Sequence, residues 1–280
     1  MTAIGETIDG TLAGFRERLE AYHAWHVPLE ALPKADRLRR AMSPDAFTDL
    51  CRTRTMPLEE PRFHDGGSDL VYFAGMVITA IRTANDLSGS EKVRAEHWAR
   101  RALLENLLPT TSVLAFNMGP DRNEPPPVPI EIGFSIRALK VMADERTSFP
   151  GRVFHSYPVQ AEKILDKVRR SLGLVSEDRP EIGSEAFRQL DRKLHFPLAK
   201  LLGFLRAPEL RHEHEFRIVF VGDGYPGLRQ DGTGRTVSLA PYFAKAGGSP
   251  FETILATGDT ARAVVESAGG MIGTVVPVFR

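Results

Sequence analysis

The segment His212-Glu213-His214-Glu215-Phe216-Arg217 gathers two histidines, two glutamates and an arginine in six residues. Side chains alternate between the two faces of a strand. A strand over Glu213 to Val221 therefore puts Glu213, Glu215, Arg217 and Val219 on one face, and His214, Phe216, Ile218 and Phe220 on the other. The second set is an apolar core face. The first presents two carboxylates and a guanidinium to the same side, where mutual repulsion raises one carboxyl pKa and Arg217 lowers the other. Carboxylates split in this way can do acid/base work or stabilise a cationic transition state. The competing interpretation is a ladder of surface charges paired with neighbouring strands.

Glutamates two apart on a strand are also the arrangement of ADP-ribosyltransferase-like sites, in which a glutamate orients the nicotinamide ribose and steadies an oxocarbenium-like state. On that basis Glu213, Glu215 and Arg217 are the candidate catalytic residues. Arg235 and Tyr242, near the edge of the same sheet, are candidates for holding an anionic part of a substrate. NAD is the specific substrate suggested, and the residues leave any cofactor unidentified. His212 and His214 could instead reach one metal ion with His195 or a carboxylate as third ligand. The chain has no H-E-x-x-H and no paired cysteines, so no metal ligand is assigned. The P-loop pattern and G-x-S-x-G are absent, and Gly222 to Gly227 lacks the G-x-G-x-x-G spacing.

The elements that must position these residues follow from composition and pattern. With 280 residues, 42% hydrophobic and 26% charged, the chain can bury a sizeable core. Lys+Arg and Asp+Glu are both 36, so no general attraction to nucleic acid is expected. The arginine clusters Arg37, Arg39, Arg40 and Arg52, Arg54 are expected on solvated faces. No apolar run is long enough to span a membrane. The first fifteen residues do not form a secretory signal. The single cysteine, Cys51, permits no internal disulfide and favours a reducing, cytoplasmic setting.

Residues 1–109 are expected to be mainly helical, and residues 110–280 to form an α+β domain with a mixed, mainly antiparallel sheet. Ile8 to Trp25 is amphipathic, with an aromatic and imidazole cluster at Tyr22 to His26. Ser43-Pro44 starts a helix, Leu70 to Ile81 is a buried helix or strand, and Ser90 caps a helix to Leu108. His64 to Gly67 is a polar loop. Ser112 to Met118 and Ile130 to Ile136 read as strands, separated by the proline-rich loop Gly119 to Pro129. Arg152 to Ser156 is a further strand. Pro158 opens a helix with Ala161, Ile164, Leu165, Val168 and Leu172 on its apolar face, closed by Gly173. A second helix starts at Ser184 and continues past Pro197 to Leu205. Strands are expected at Arg235 to Leu239, Thr253 to Ala256 and Ile272 to Phe279, with a helix from Thr260 to Ser267 capped by Asp259.

Residues 111–280 resemble a bacterial family known as domain of unknown function 2971. The residues that carry the resemblance are the segment Lys200 to Leu210, the Glu213-x-Glu215-x-Arg217-Ile218-Val219 strand, Arg235 to Pro241-Tyr242, and Ile254 to Phe279. Ser112 to Phe116 and Gly133 to Ile136 resemble the two strands before them. The proline-rich loop stands where that family usually carries a tryptophan and a tyrosine. The resemblance implies the α+β fold and no particular activity. The expectation for function is an enzyme acting on a small-molecule nucleotide, ADP-ribosyltransferase-like or NAD-cleaving, in a stress or defence setting. The alternatives are a non-catalytic ligand- or protein-binding module and a metal-dependent hydrolase.

Overall fold

The computed structural model describes residues 38–60, 68–101, 111–118, 129–143, 147–177, 198–231, 234–246, 251–273 and 275–279. The Ile8–Trp25 segment, the Tyr22–His26 cluster, Arg37, the His64–Gly67 loop, most of the proline-rich loop, His195 and the helix expected from Ser184 lie outside them.

Ten strands and seven helices are described, giving the expected α+β class. The strands are β1 (Leu38–Met42), β2 (Thr55–Pro57), β3 (Thr111–Met118), β4 (Ile130–Phe134), β5 (Ser148–Arg152), β6 (Glu215–Val221), β7 (Leu228–Asp231), β8 (Gly234–Ser238), β9 (Phe251–Ala256) and β10 (Val278–Phe279). The helices are α1 (Pro44–Thr53), α2 (Ser68–Thr83), α3 (Gly89–Arg101), α4 (Ile136–Leu139), α5 (Tyr157–Glu177), α6 (Ala240–Ala246) and α7 (Asp259–Ser267). Residues 198–202 are also helical. Among the described residues, no helix is long and apolar enough to cross a membrane.

The chain divides into two compact units, neither continuous in sequence. One of the boundaries between them falls between Thr111 and Ser112. However, Val27–Glu60 belongs with the C-terminal unit and Phe154–Leu210 with the other.

The unit containing Val27–Glu60, Ser112–Val153 and Arg211–Arg280 is built on a seven-stranded sheet of order β10-β9-β4-β1-β3-β6-β5 and a three-stranded sheet of order β2-β8-β7. β1 pairs antiparallel with β3 and β4, β4 with β9, and β5 with β6, while β10 joins β9 in parallel. The period-two pattern explains how the large sheet packs. Leu38 and Met42, Leu114, Phe116 and Met118, Ile130, Ile132 and Phe134, and Phe216, Ile218 and Phe220 all enter one hydrophobic core. Phe116 and Phe134 meet edge to face at 5.2 Å, and Phe134 and Phe251 at 5.7 Å. Each such pair adds about 0.5–1.5 kcal/mol beyond its buried area. Ser43 caps α1 by accepting from the Ala46 N–H at 3.2 Å, with Pro44 in the first turn, as the sequence predicts.

Gly133 has no room for a side chain. A Cβ there would collide with Thr253 Oγ1 on β9, next to a register irregularity between Gly133 and Phe134. Gly133→Ala is expected to cost about 1–3 kcal/mol through overpacking, read as a drop in the denaturant midpoint. Adding Thr253→Ala should recover most of that loss.

The other unit packs α2 against α3 and α5. Leu70 to Ile81 resolves as a helix whose buried face includes Phe73, Met76, Val77, Ala80 and Ile81. α5 runs to Glu177, so Gly173 lies inside the helix and does not end it. Among its described side chains, Gln160, Ile164, Lys167 and Val168 are buried, while Ala161 and Leu165 are half-buried. The inward stripe is thus rotated from the apolar one expected, and it carries two polar residues. Gln160 is satisfied inside the fold: its Nε2 donates to the Arg206 carbonyl at 2.7 Å and also to that of Phe154, and its Oε1 accepts from the Tyr72 hydroxyl at 2.6 Å.

Several boundaries differ from expectation. The strand expected at Arg152–Ser156 lies four residues earlier, at Ser148–Arg152, and the last strand is only Val278–Phe279. Gly258, with φ of 87°, and not Asp259, occupies the cap position of α7. β1, β2, β7 and α6 are additional elements that the sequence pattern did not predict.

Candidate functional site

β6 begins at Glu215, and all seven of its residues are buried. The preceding residues Pro208–Glu213 form a 3₁₀ helix, and His214 joins the two with φ of 45°. A left-handed residue at this point interrupts the strand alternation. Glu213 therefore stands on a helical turn and not two residues along the same strand face as Glu215. His214 is exposed, so its expected place on the core face is also corrected. Its carbonyl accepts from the Met118 N–H at 2.7 Å, and that of Glu215 accepts from the Val153 N–H at 3.1 Å. These bonds fix the start of β6 on both sides.

From Glu215 onward the alternation holds. Phe216, Ile218 and Phe220 enter the hydrophobic core, which leaves Glu215, Arg217 and Val219 on the opposite face of the sheet. Arg217 Nη2 lies 2.9 Å from Glu215 Oε2, with side-chain exposures of 2% and 6%. The surface charge ladder that competed with a functional role is thus excluded in its simple form. The charges are paired, and the pair is inside the protein.

The same face carries a second ion pair. On β1 and β4, Arg39 and Glu131 fall out of phase with the core residues, and Arg39 Nη1 lies 3.6 Å from Glu131 Oε1. Arg40 fills a different position. The register of β1 with β3 covers Leu38↔Met118 and Arg39↔Asn117, and farther along β3 it is Glu59 that bridges to Val113. Arg40 donates to the Ala115 carbonyl at 2.6 Å and pairs with Glu59 at 3.4 Å, spanning the place where the strands diverge. Burial lowers the Arg40 pKa, and the negative charges of Glu59 and Glu215 oppose that effect. Arg39 and Arg40 were expected on a solvated face; Arg39 is buried and Arg40 half-buried, each paired with a glutamate. Arg52 does lie at the surface, paired with Asp49.

Arg235 and Tyr242 are present in the same unit, each with internal partners. Arg235, 5% exposed, donates to Asp223 Oδ1 at 2.7 Å and to Ser112 Oγ at 3.2 Å. Tyr242 is fully buried against Phe134 and Phe243, and its hydroxyl accepts from the Ser135 N–H at 3.3 Å. Burial raises the Tyr242 pKa well above the ordinary phenol value. Cys51 is buried, and its thiol is pushed up to about 11 by desolvation, the setting of an inert thiol.

No group of three His, Cys, Asp or Glu side chains able to hold a metal ion occurs among the described residues. The arrangement at Glu215 can hold a fixed negative charge beside a guanidinium in a low-dielectric setting, where charge acts strongly on a neighbouring group. Comparison with family models, with curated proteins and with solved structures found no match to this chain.

Proposed function

We propose that this chain is an enzyme acting on a nucleotide-type substrate, with NAD as the specific candidate. In this proposal Glu215 is the carboxylate that faces positive charge developing at the ribose, and Arg217 holds it in place. The observation that supports this most is the 2.9 Å Glu215–Arg217 pair on the sheet face opposite the hydrophobic core. Apolar side chains of similar volume are often as stable as a buried ion pair or more so. A strand that retains the pair is therefore a reasonable place to look for chemistry. Glu213 enters as a second carboxylate from the adjoining 3₁₀ turn, and Arg235 as an anchor for an anionic group. The family resemblance of residues 111–280 belongs to this proposal, as does a cytoplasmic, stress- or defence-related setting.

A specific observation favours a second function, a non-catalytic binding module. Arg39, Arg40, Arg217 and Arg235 each have a carboxylate partner within the fold. Calorimetric titration with NAD tests the substrate assignment common to both. An enzyme using Glu215 for turnover should bind NAD in both the wild type and Glu215→Gln, with affinities within about tenfold, because uniform binding does not depend on a transition-state contact. Absence of binding in the wild type would rule out NAD as the substrate.

A further inference from the structure

The ladder between β1 and β3 is short. Among the described residues it covers only Leu38↔Met118 and Arg39↔Asn117, while β1 stays paired with β4 as far as Met42. Farther along, β3 has a different neighbour: Glu59 and Val113 exchange backbone hydrogen bonds of 2.8 and 2.7 Å. The Arg40 side chain enters the opening that this divergence leaves. Its Nη1 donates to the Ala115 carbonyl at 2.6 Å, and its Nη2 lies 3.4 Å from Glu59 Oε1. These contacts leave the Nε–H, and a second N–H on each terminal nitrogen, without an acceptor among the described residues. The site is open to solvent, with the Arg40 side chain 17% exposed and that of Glu59 33%.

We propose that Arg40 binds a phosphate group of a small molecule at the opening between β1 and β3, with the Glu59 side chain as the counterion that the phosphate displaces. The proposal stands whether or not Glu215 works on NAD. The Ala115 carbonyl fixes the guanidinium from one side without neutralising it. Glu59 holds it loosely from another, since charge-assisted N–H···O bonds are ordinarily about 2.7–2.9 Å long. The backbone bonds to Val113 keep Glu59 in place on the sheet, so its side chain can turn to solvent without moving a strand. Exchanging one carboxylate for another would gain nothing. A phosphate brings more negative charge and more acceptor oxygens, and the planar guanidinium fork matches it in two-point contact. Glu215 also acts on Arg40, but it is paired with Arg217 at 2.9 Å, which reduces its repulsion of an incoming anion.

The test is calorimetric titration of the full-length chain with inorganic pyrophosphate at neutral pH and low ionic strength. The wild type is expected to bind, and Arg40→Gln to bind at least about tenfold more weakly, the usual effect of losing hydrogen bonds to a charged group. Glu59→Gln should bind roughly twofold to fivefold more tightly, because the anion no longer has to break an exposed ion pair. A merely structural arginine would not show that gain. Glu60→Gln makes the same change of charge one residue away and should leave the affinity unchanged. ADP as a second probe separates the sources of the phosphate. The same ranking with ADP assigns the site to nucleotides, and binding of pyrophosphate without ADP assigns it to a free inorganic anion; both support the site. No binding by the wild type at millimolar pyrophosphate, undiminished binding by Arg40→Gln, or equal affinities in Glu59→Gln and Glu60→Gln would overturn the proposal. The comparison of the two glutamate variants decides the matter even if Arg40→Gln does not fold.

Discussion

Replacing Arg217 with methionine is expected to destabilise the fold by about 3–5 kcal/mol, the usual cost of leaving one member of a buried ion pair without the other. Glu215 is 6% exposed, and its carboxylate would lose the guanidinium now 2.9 Å away. The double variant Glu215→Gln, Arg217→Met removes both charges and should recover at least half of that loss. Chemical denaturation of the wild type, both single variants and the double variant gives the coupling energy directly. Additive losses would mean that the pair contributes nothing as a pair. Arg217 also lies opposite Gly151 on β5 and is 2% exposed, so its methylene stem contributes packing that methionine largely retains. The measured loss is therefore mainly electrostatic.

The second large effect should be found in the other unit, at Lys200, and its sign depends on pH. An unperturbed lysine titrates near 10.5, and Lys200 titrates at about 7 in the fold. Below about pH 7 the amine is charged in both the folded and the unfolded chain, and folding bears the full desolvation cost. Between the two values the unfolded chain binds a proton that the folded chain does not, so stability rises with pH. Above about 10.5 the amine is neutral in both states and the cost is gone. Lys200→Met should therefore stabilise the protein by roughly 3–5 kcal/mol at pH 6, and the gain should shrink toward zero by pH 10. The difference between wild-type and variant unfolding free energies across that range is the measurement. A pH-independent difference would show that Lys200 is protonated throughout.

How much of this was legible in the sequence depends on how regular the local backbone is. The faces of β6 from Glu215 to Phe220 follow from period two alone, because every residue there is in the strand. The same rule fails one step earlier: nothing in H-E-H-E marks His214 as the left-handed residue that takes Glu213 off the face. β1 was missed because Leu-Arg-Arg-Ala-Met does not alternate. Its two arginines point to different environments, one toward Glu131 and the other into the divergence between strands. The buried lysines were missed because charge is normally read as exposure. The available signal was spacing: Gln160 and Lys167 lie seven apart, in phase with Ile164 and Val168. Short elements such as β2 and α6 gain their stability from the sheets and core around them, so local composition alone could not reveal them.

The most direct test of the Glu215 site is release of nicotinamide from NAD by purified protein, followed chromatographically in the wild type and in Glu215→Gln. Charge-preserving Glu215→Asp serves as a second variant, and folding of each is checked by its thermal transition. The expected result is turnover by the wild type and a loss on the order of 10²–10³-fold in Glu215→Gln, the size typical for removal of a group that stabilises transition-state charge. Equal rates in the wild type and Glu215→Gln, or no nicotinamide released by the wild type, would contradict a working role for this carboxylate on NAD.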